Sequence, residues 1–97
     1  PVNALAGVQT MMTRRDILGR PVNPAEAVPL EDALRAYTAN GAYASFEEGI
    51  KGALKPGLLG DVTVFSAELE SVDPDGLADI PVAYTIAAGE VVHELRV

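Results

Sequence analysis

The stretch that decides the fold is Lys51–Phe65, KGALKPGLLGDVTVF. Pro56 pre-sets φ and Gly57 supplies the positive φ of a type II turn at Lys55-Pro56-Gly57. The run after it, Asp61 to Phe65 (DVTVF), is dense in β-branched and aromatic residues and reads as a strand. A strand needs a partner, so the flanking sequence must supply one or leave an open edge.

Downstream, SVDPDGLADI (Ser71 to Ile80) is a turn-rich connection. IPVAYTI then alternates, with Ile80, Val82, Tyr84 and Ile86 on one expected face and Pro81, Ala83 and Thr85 on the other. Pro81 cannot donate to a ladder and belongs at the strand start or on an edge. Gly89 turns the chain into Val91 to Leu95 (VVHEL), so these two runs form an expected hairpin.

Upstream the pattern is helical. Asn3 can cap a helix from Ala4, with Leu5, Val8 and Met12 on one face and Met11 beside them. Arg14 and Arg15 are expected in its last turn, where cations favour the dipole. Gly19, Pro21 and Pro24 mark a loop, DILGRPVNPAEAV. Pro29 suits the first position of a second helix, because its missing N–H costs nothing there. Glu31 and Asp32 sit in the first turn, and Leu30, Ala33, Leu34 and Tyr37 form the apolar stripe. Asn40-Gly41 reads as its stop, and a shorter helix follows from Ala42 to Glu47. The expected class is therefore α+β, with helices over 1–50 and three strands over 51–97. Three short strands make a poor independent sheet. Either the helices cover it, or it completes a sheet supplied by something outside this chain.

Bulk properties narrow the functions. The chain has 97 residues, enough for one small domain. At 48% hydrophobic it is too apolar for disorder. A net charge of −7 repels phosphate backbones, which argues against nucleic acid as a partner. The absence of cysteine removes disulfides, thiolate metal sites and a cysteine nucleophile, and leaves the redox compartment unread. No apolar run approaches the roughly 20 residues that span a bilayer, and no signal peptide is visible. A cytoplasmic location and no membrane partner are the expectation. The chain opens at Pro1 without an initiator Met, as a processed, tag-cleaved or truncated product would.

Candidate chemistry is thin. His93 is the single histidine. A zinc or iron site needs three or four ligands, so His93 reads as a plain strand residue. DPDG (Asp73 to Gly76) resembles the start of a calcium loop, but the twelfth position is Tyr84 where a bidentate Glu is required. An Asp-Pro turn is the better reading. The pairs Glu31-Asp32 and Glu47-Glu48 could divide acid and base work if burial split their pKa values. Their places in a first turn and at a helix end favour solvated charge. KPGLLGD leads into a strand and does not match a phosphate loop. Ser45, Ser66 and Ser71 lack a nucleophile-elbow setting. Arg14-Arg15 could reach an anion, but a helix C-terminal pair explains them. No catalytic, cofactor-binding or metal-ligating residue is assigned.

Four segments carry a family resemblance: LAGVQTMMTRR, PLEDALRAYTANGAYASFEE, KGALKPGLLGDVTVF and IAAGEVVHE. In that order they resemble the C-terminal end of the metal-dependent amidohydrolases (amidohydrolase family 3), closest to the formamide-deformylase-like subgroup. The resemblance implies a metal-binding (β/α)₈ barrel with a small β-sandwich built from both ends of the polypeptide. Ala4 to Arg15 and Leu30 to Glu47 would be late barrel helices. Asp61 to Phe65, Ile80 to Ile86 and Val91 to Leu95 would be C-terminal sandwich strands. Segment 1–50 would close the barrel and segment 51–97 would belong to the sandwich. The strand after Lys55-Pro56-Gly57 would pair with strands from a missing N-terminal segment.

The family's ligands are an early His-x-His pair, a lysine or other bridging residue, two later histidines and an aspartate after the last barrel strand. None can be placed here. The resemblance implies that the dipeptide Pro1-Val2 is the tail of the segment that carries that aspartate. Asp61 matches a family aspartate for which a structural turn role is inferred, with Gly60 where the family prefers Ala. The expectation is a fragment without a cofactor of its own, inactive alone. Its parent would use a divalent metal, zinc or similar, to activate water against a C–N bond. Its partner would be the missing N-terminal part, or a second copy through exposed strand edges. The alternatives are a stand-alone α+β interaction or assembly module, and a binding module between helices and sheet.

Overall fold

The computed structural model describes residues 3–95. Pro1 and Val2 lie outside them. The chain forms two compact units, one from Pro1–Leu34 with Ala67–Ile80 and one from Arg35–Ser66 with Pro81–Val97.

The first unit is built on α1, Ala4–Thr13. Asn3 starts it as expected: the side chain accepts from the Leu5 N–H at 3.1 Å, relieving one of the unpaired donors at a helix start. The end differs from expectation. Arg14 is not in the last turn but beyond it, with φ 53° and ψ 45°, and its N–H donates to Thr10 O. A left-handed arginine stops the helix without glycine, and Arg15 then bridges to Pro21 across a tight loop. The helix packs against a 3₁₀ helix, Pro74–Asp79. Leu5, Val8 and Leu77 are all at most 3% exposed. Two side-chain bonds tie these elements: Asn3 Nδ2 donates to Ala78 O at 2.9 Å, and the Ala78 N–H donates to Gln9 Oε1 at 2.8 Å.

α2 spans Leu30–Tyr37, with Glu31 and Asp32 in its first turn and Ala33 buried. It ends earlier than the expected Asn40-Gly41 stop, because Thr38 leaves helical space at φ −125° and ψ −92°. A separate α3, Ala39–Ala44, takes in Asn40 and Gly41. That helix closes with the left-handed position at Phe46, φ 62°. The Phe46 N–H donates to Tyr43 O and the Glu47 N–H to Ala42 O. This is the double-bonded Schellman pattern, held by a phenylalanine where glycine is the usual occupant.

The strands follow the sequence closely. β1 (Val62–Phe65), β2 (Val82–Ala87) and β3 (Glu90–Glu94) make one antiparallel sheet in the order β1-β2-β3. The turn at Lys55–Leu58 has Gly57 at φ 92° and a Leu58 N–H to Lys55 O bond, as the Pro-Gly pair requires. Ala88 and Gly89, at φ 49° and 82°, make the two-residue hairpin turn. Pro81 immediately precedes β2, and its carbonyl accepts from the Ser66 N–H.

The expected clean alternation along β2 does not hold. The pairing jumps by an extra residue at Ala83 opposite β1, and at Val92 on β3 opposite β2. Each bulge shifts the side-chain sequence by one position. No residue of the three strands is buried, and β3 is exposed along its whole length.

Candidate functional site

The unit that carries the sheet leaves several of its apolar side chains in the open. Val64 is 38% exposed, Val91 58% and Val92 63%. Those residues are the kind a sheet normally buries, and the sheet leaves them partly or largely exposed. Asp61 braces the sheet. Its Oδ1 accepts from the Ala88 N–H at 2.8 Å, and the Gly89 N–H donates to Gly60 O at 2.9 Å. Gly60 is crowded: a Cβ there would lie 3.3 Å from Gly89 N.

The same unit holds an open cleft of about 290 Å³ between α3 and the turn before β1, lined by Ala39, Glu48, Lys51, Gly52, Lys55 and Pro56 among others. Gly52, one of its lining residues, has no room for a side chain. A Cβ on Gly52 would stand 2.7 Å from Ala42 Cβ, and its φ is 98°. Of the two acids at Glu47-Glu48, Glu47 pairs with Lys51 at 3.3 Å. Such an exposed pair is worth at most about 1 kcal/mol and leaves no acid/base couple.

The first unit has its own open cleft of about 530 Å³, lined by Gln9, Thr10, Arg15, Asp16 and Asp75 among others. Its charged groups are engaged with each other. Asp16 Oδ1 accepts from the N–H groups of Leu18 and Arg20, both at 2.9 Å, and Oδ2 accepts from Arg20 Nε at 2.7 Å. The Arg20 backbone donor leads the effects that hold the Asp16 carboxyl below its ordinary 3.8. Arg15 lies 3.8 Å from Asp75, and Arg14 Nε donates to Val22 O. The arginine pair therefore structures a loop and its neighbour. Sequence reasoning placed this loop by Gly19, Pro21 and Pro24 but missed the Asp16–Arg20 pairing inside it. Its signal was local: an Asp four residues ahead of Arg20 with Gly19 between.

The remaining candidates occupy structural places. His93 stands on β3 opposite Thr85. Asp73 accepts from the Asp75 N–H and starts the 3₁₀ helix, the Asp-Pro turn expected at DPDG. Ser45 Oγ donates to Ala42 O, and Ser71 Oγ to Glu68 Oε2. Glu31 and Asp32 lie on α2. Among the described residues no group of three or more histidine, aspartate or glutamate side chains is placed to hold a metal ion. By themselves the described residues do not make up the resident metal site that the resemblance implies. Among the same residues, no helix is long and apolar enough to cross a membrane.

These features define a class: a small α+β segment whose sheet is bare and whose described residues hold no metal-binding cluster. Within it, the chain belongs to the Amidohydrolase family, which it matches over residues 1–93. It is similar to the Bacillus subtilis (strain 168) protein named amidohydrolase YtcJ, at 29% identity over 97 residues, 97% of this chain and 18% of that protein. It is also similar to N-substituted formamide deformylase of Arthrobacter pascens, at 29% identity over 85 residues, 88% of this chain and 16% of that protein. The chain spans less than a fifth of the length of these curated relatives. No solved structure matches it. The family reading made from the four sequence segments, formamide-deformylase-like, is borne out.

Proposed function

We infer that this chain is the C-terminal segment of a cytoplasmic, metal-dependent amidohydrolase whose whole polypeptide hydrolyses a C–N bond other than a peptide bond. N-substituted formamides are the first substrates to try, since one relative is named for them. Residues 1–50 would pack as the closing helices of a barrel, and residues 51–97 would supply strands to a composite sandwich. The chain's own contribution is structural, and no step of the reaction is assigned to its residues. The family's divalent metal would be held by residues elsewhere in the polypeptide.

The observation that carries this reading is the family match over nearly the whole chain, by a chain that spans less than a fifth of its relatives. The sheet without a buried side chain agrees with a segment cut from its cover.

Two measurements test it. The coding sequence upstream of Pro1 should run on for several hundred codons with an early His-x-His. The polypeptide expressed from it should release formate from an N-substituted formamide, while the 97-residue segment neither does so nor binds zinc stoichiometrically. A start codon just before Pro1, or one tightly bound zinc per segment, overturns the reading.

A further inference from the structure

The loop after α1 is a small hairpin, braced everywhere but at its tip. Arg15 and Pro21 bridge, the Val22 N–H donates to Arg14 O, and the Asp16 N–H donates to Arg20 O. The Gly19 N–H closes the turn on Asp16 O, with Gly19 at φ 78°. Asp at the first position of such a turn and Gly at the fourth are the residues it favours. Ile17 and Leu18, between them, serve no need of the turn, yet they stand 100% and 72% exposed. An apolar tip held in one conformation loses little further freedom when a partner covers it, which favours association.

The charge around the tip is opposite to that of the chain. Arg14, Arg15 and Arg20 against Asp16 give residues 14–20 a charge of +2, and the net charge of −7 then leaves −9 on all other residues. Residues 67–80, in the same unit, hold Glu68, Glu70, Asp73, Asp75 and Asp79 and no lysine or arginine; all five carboxylates are exposed, and Leu69 and Val72 are partly so. Within the chain Arg15 reaches Asp75 at 3.8 Å, but the Arg15 and Arg20 side chains remain 55% and 69% exposed.

We propose that this hairpin is a self-association site: Ile17 and Leu18 seat on residues 67–80 of a second copy, and the arginines around them face its carboxylates. Connections between helices run over the surface of a protein, so a basic, apolar-tipped one is placed to meet another molecule. The occupant is argued from charge complementarity, since the chain itself supplies the acidic surface that matches the tip. In a two-fold dimer the contact is made twice, hairpin to acidic segment and acidic segment to hairpin. The proposal concerns residues of this chain alone and stands apart from the hydrolase reading.

The test is analytical sedimentation of the polypeptide from the complete reading frame, unmodified and as the double variant I17S/L18S. The unmodified polypeptide should sediment as a dimer at micromolar concentration, and added salt should weaken it. The variant should dissociate at least about tenfold more readily, with its circular dichroism unchanged. E70K/D79K, on the receiving segment, should weaken the dimer likewise. A polypeptide that is monomeric at every concentration overturns the proposal, and so does a dimer that I17S/L18S leaves intact. A monomer whose I17S/L18S variant melts earlier assigns the tip to the polypeptide's own interior, and overturns the occupant. A dimer lost in I17S/L18S but intact in E70K/D79K overturns the receiving segment.

Discussion

In the unit built on α1, Leu5, Val8, Ala33 and Leu77 are buried, each at 3% exposure or less. In the unit that carries the sheet, Ala42 is the buried hydrophobic among the described residues, and it lies on a helix. Both units draw on the same Ala, Val and Leu-rich composition. The difference lies in whether an element finds its partner within the chain. α1 finds the 3₁₀ helix Pro74–Asp79, while β1, β2 and β3 pair edge to edge and bury no side chain fully. Apolar side chains stabilise a fold only where they leave water, so substitutions in the two units should separate sharply.

The largest effect is expected at Leu77. Leu77→Ala should cost about 2–5 kcal/mol in urea unfolding, by lost burial and the cavity left behind. Val92→Ala, on the bare strand, should stay within about 0.5 kcal/mol. Equal costs would mean the sheet is covered in solution. Gly52→Ala comes next, at about 1–3 kcal/mol, because its backbone is left-handed and the new Cβ meets Ala42. Gly57→Ala has a similar φ of 92° but open space around it, and should cost about 1 kcal/mol from the backbone alone. Thermal unfolding of the two glycine variants separates crowding from strain.

Asn3→Ala removes a helix cap and the bond to Ala78 O, and should cost about 1 kcal/mol, read by circular dichroism. Phe46→Gly should change the sign. The ring is 90% exposed and its φ is 62°, so glycine relieves the left-handed strain and should raise stability by up to about 1 kcal/mol. A loss in the same assay would show that the exposed ring has a contact in solution. The smallest effect concerns Asp16. Its carboxyl is held below 3.8, so the loop's support is complete above that value and fades as pH falls through the lowered pKa. Amide chemical shifts of Leu18 and Arg20 should move below about pH 4, while global unfolding responds little.

These contrasts also explain what the sequence made legible. DVTVF, IPVAYTI and VVHEL announced their strands because β-branched runs bounded by glycine turns leave few alternatives. Asn3 announced the start of α1 by side-chain chemistry alone. The ends of α1 and α3 were hidden, because Arg14 and Phe46 occupy left-handed positions that sequence reading assigns to glycine or asparagine. Asn40-Gly41, the expected stop, sits inside a helix instead. The bulges at Ala83 and Val92 were hidden for another reason: they are properties of a pairing between strands, which no single segment encodes. At the candidate site, Asp61 was legible as a turn residue through the family pattern. The Asp16–Arg20 pairing and the crowding at Gly52 were not, since each depends on a neighbour's position in space.

The chain enters and leaves each unit more than once, with boundaries after Leu34, Ser66 and Ile80. Each unit is therefore sewn from two separate lengths of polypeptide. A protease that nicks the chain once cannot release either unit whole, and a gene fusion that transplants a whole unit in one contiguous stretch carries part of the other with it. Grafting the sheet into another scaffold would require two insertions, 35–66 and 81–97, with a linker standing in for the 67–80 excursion.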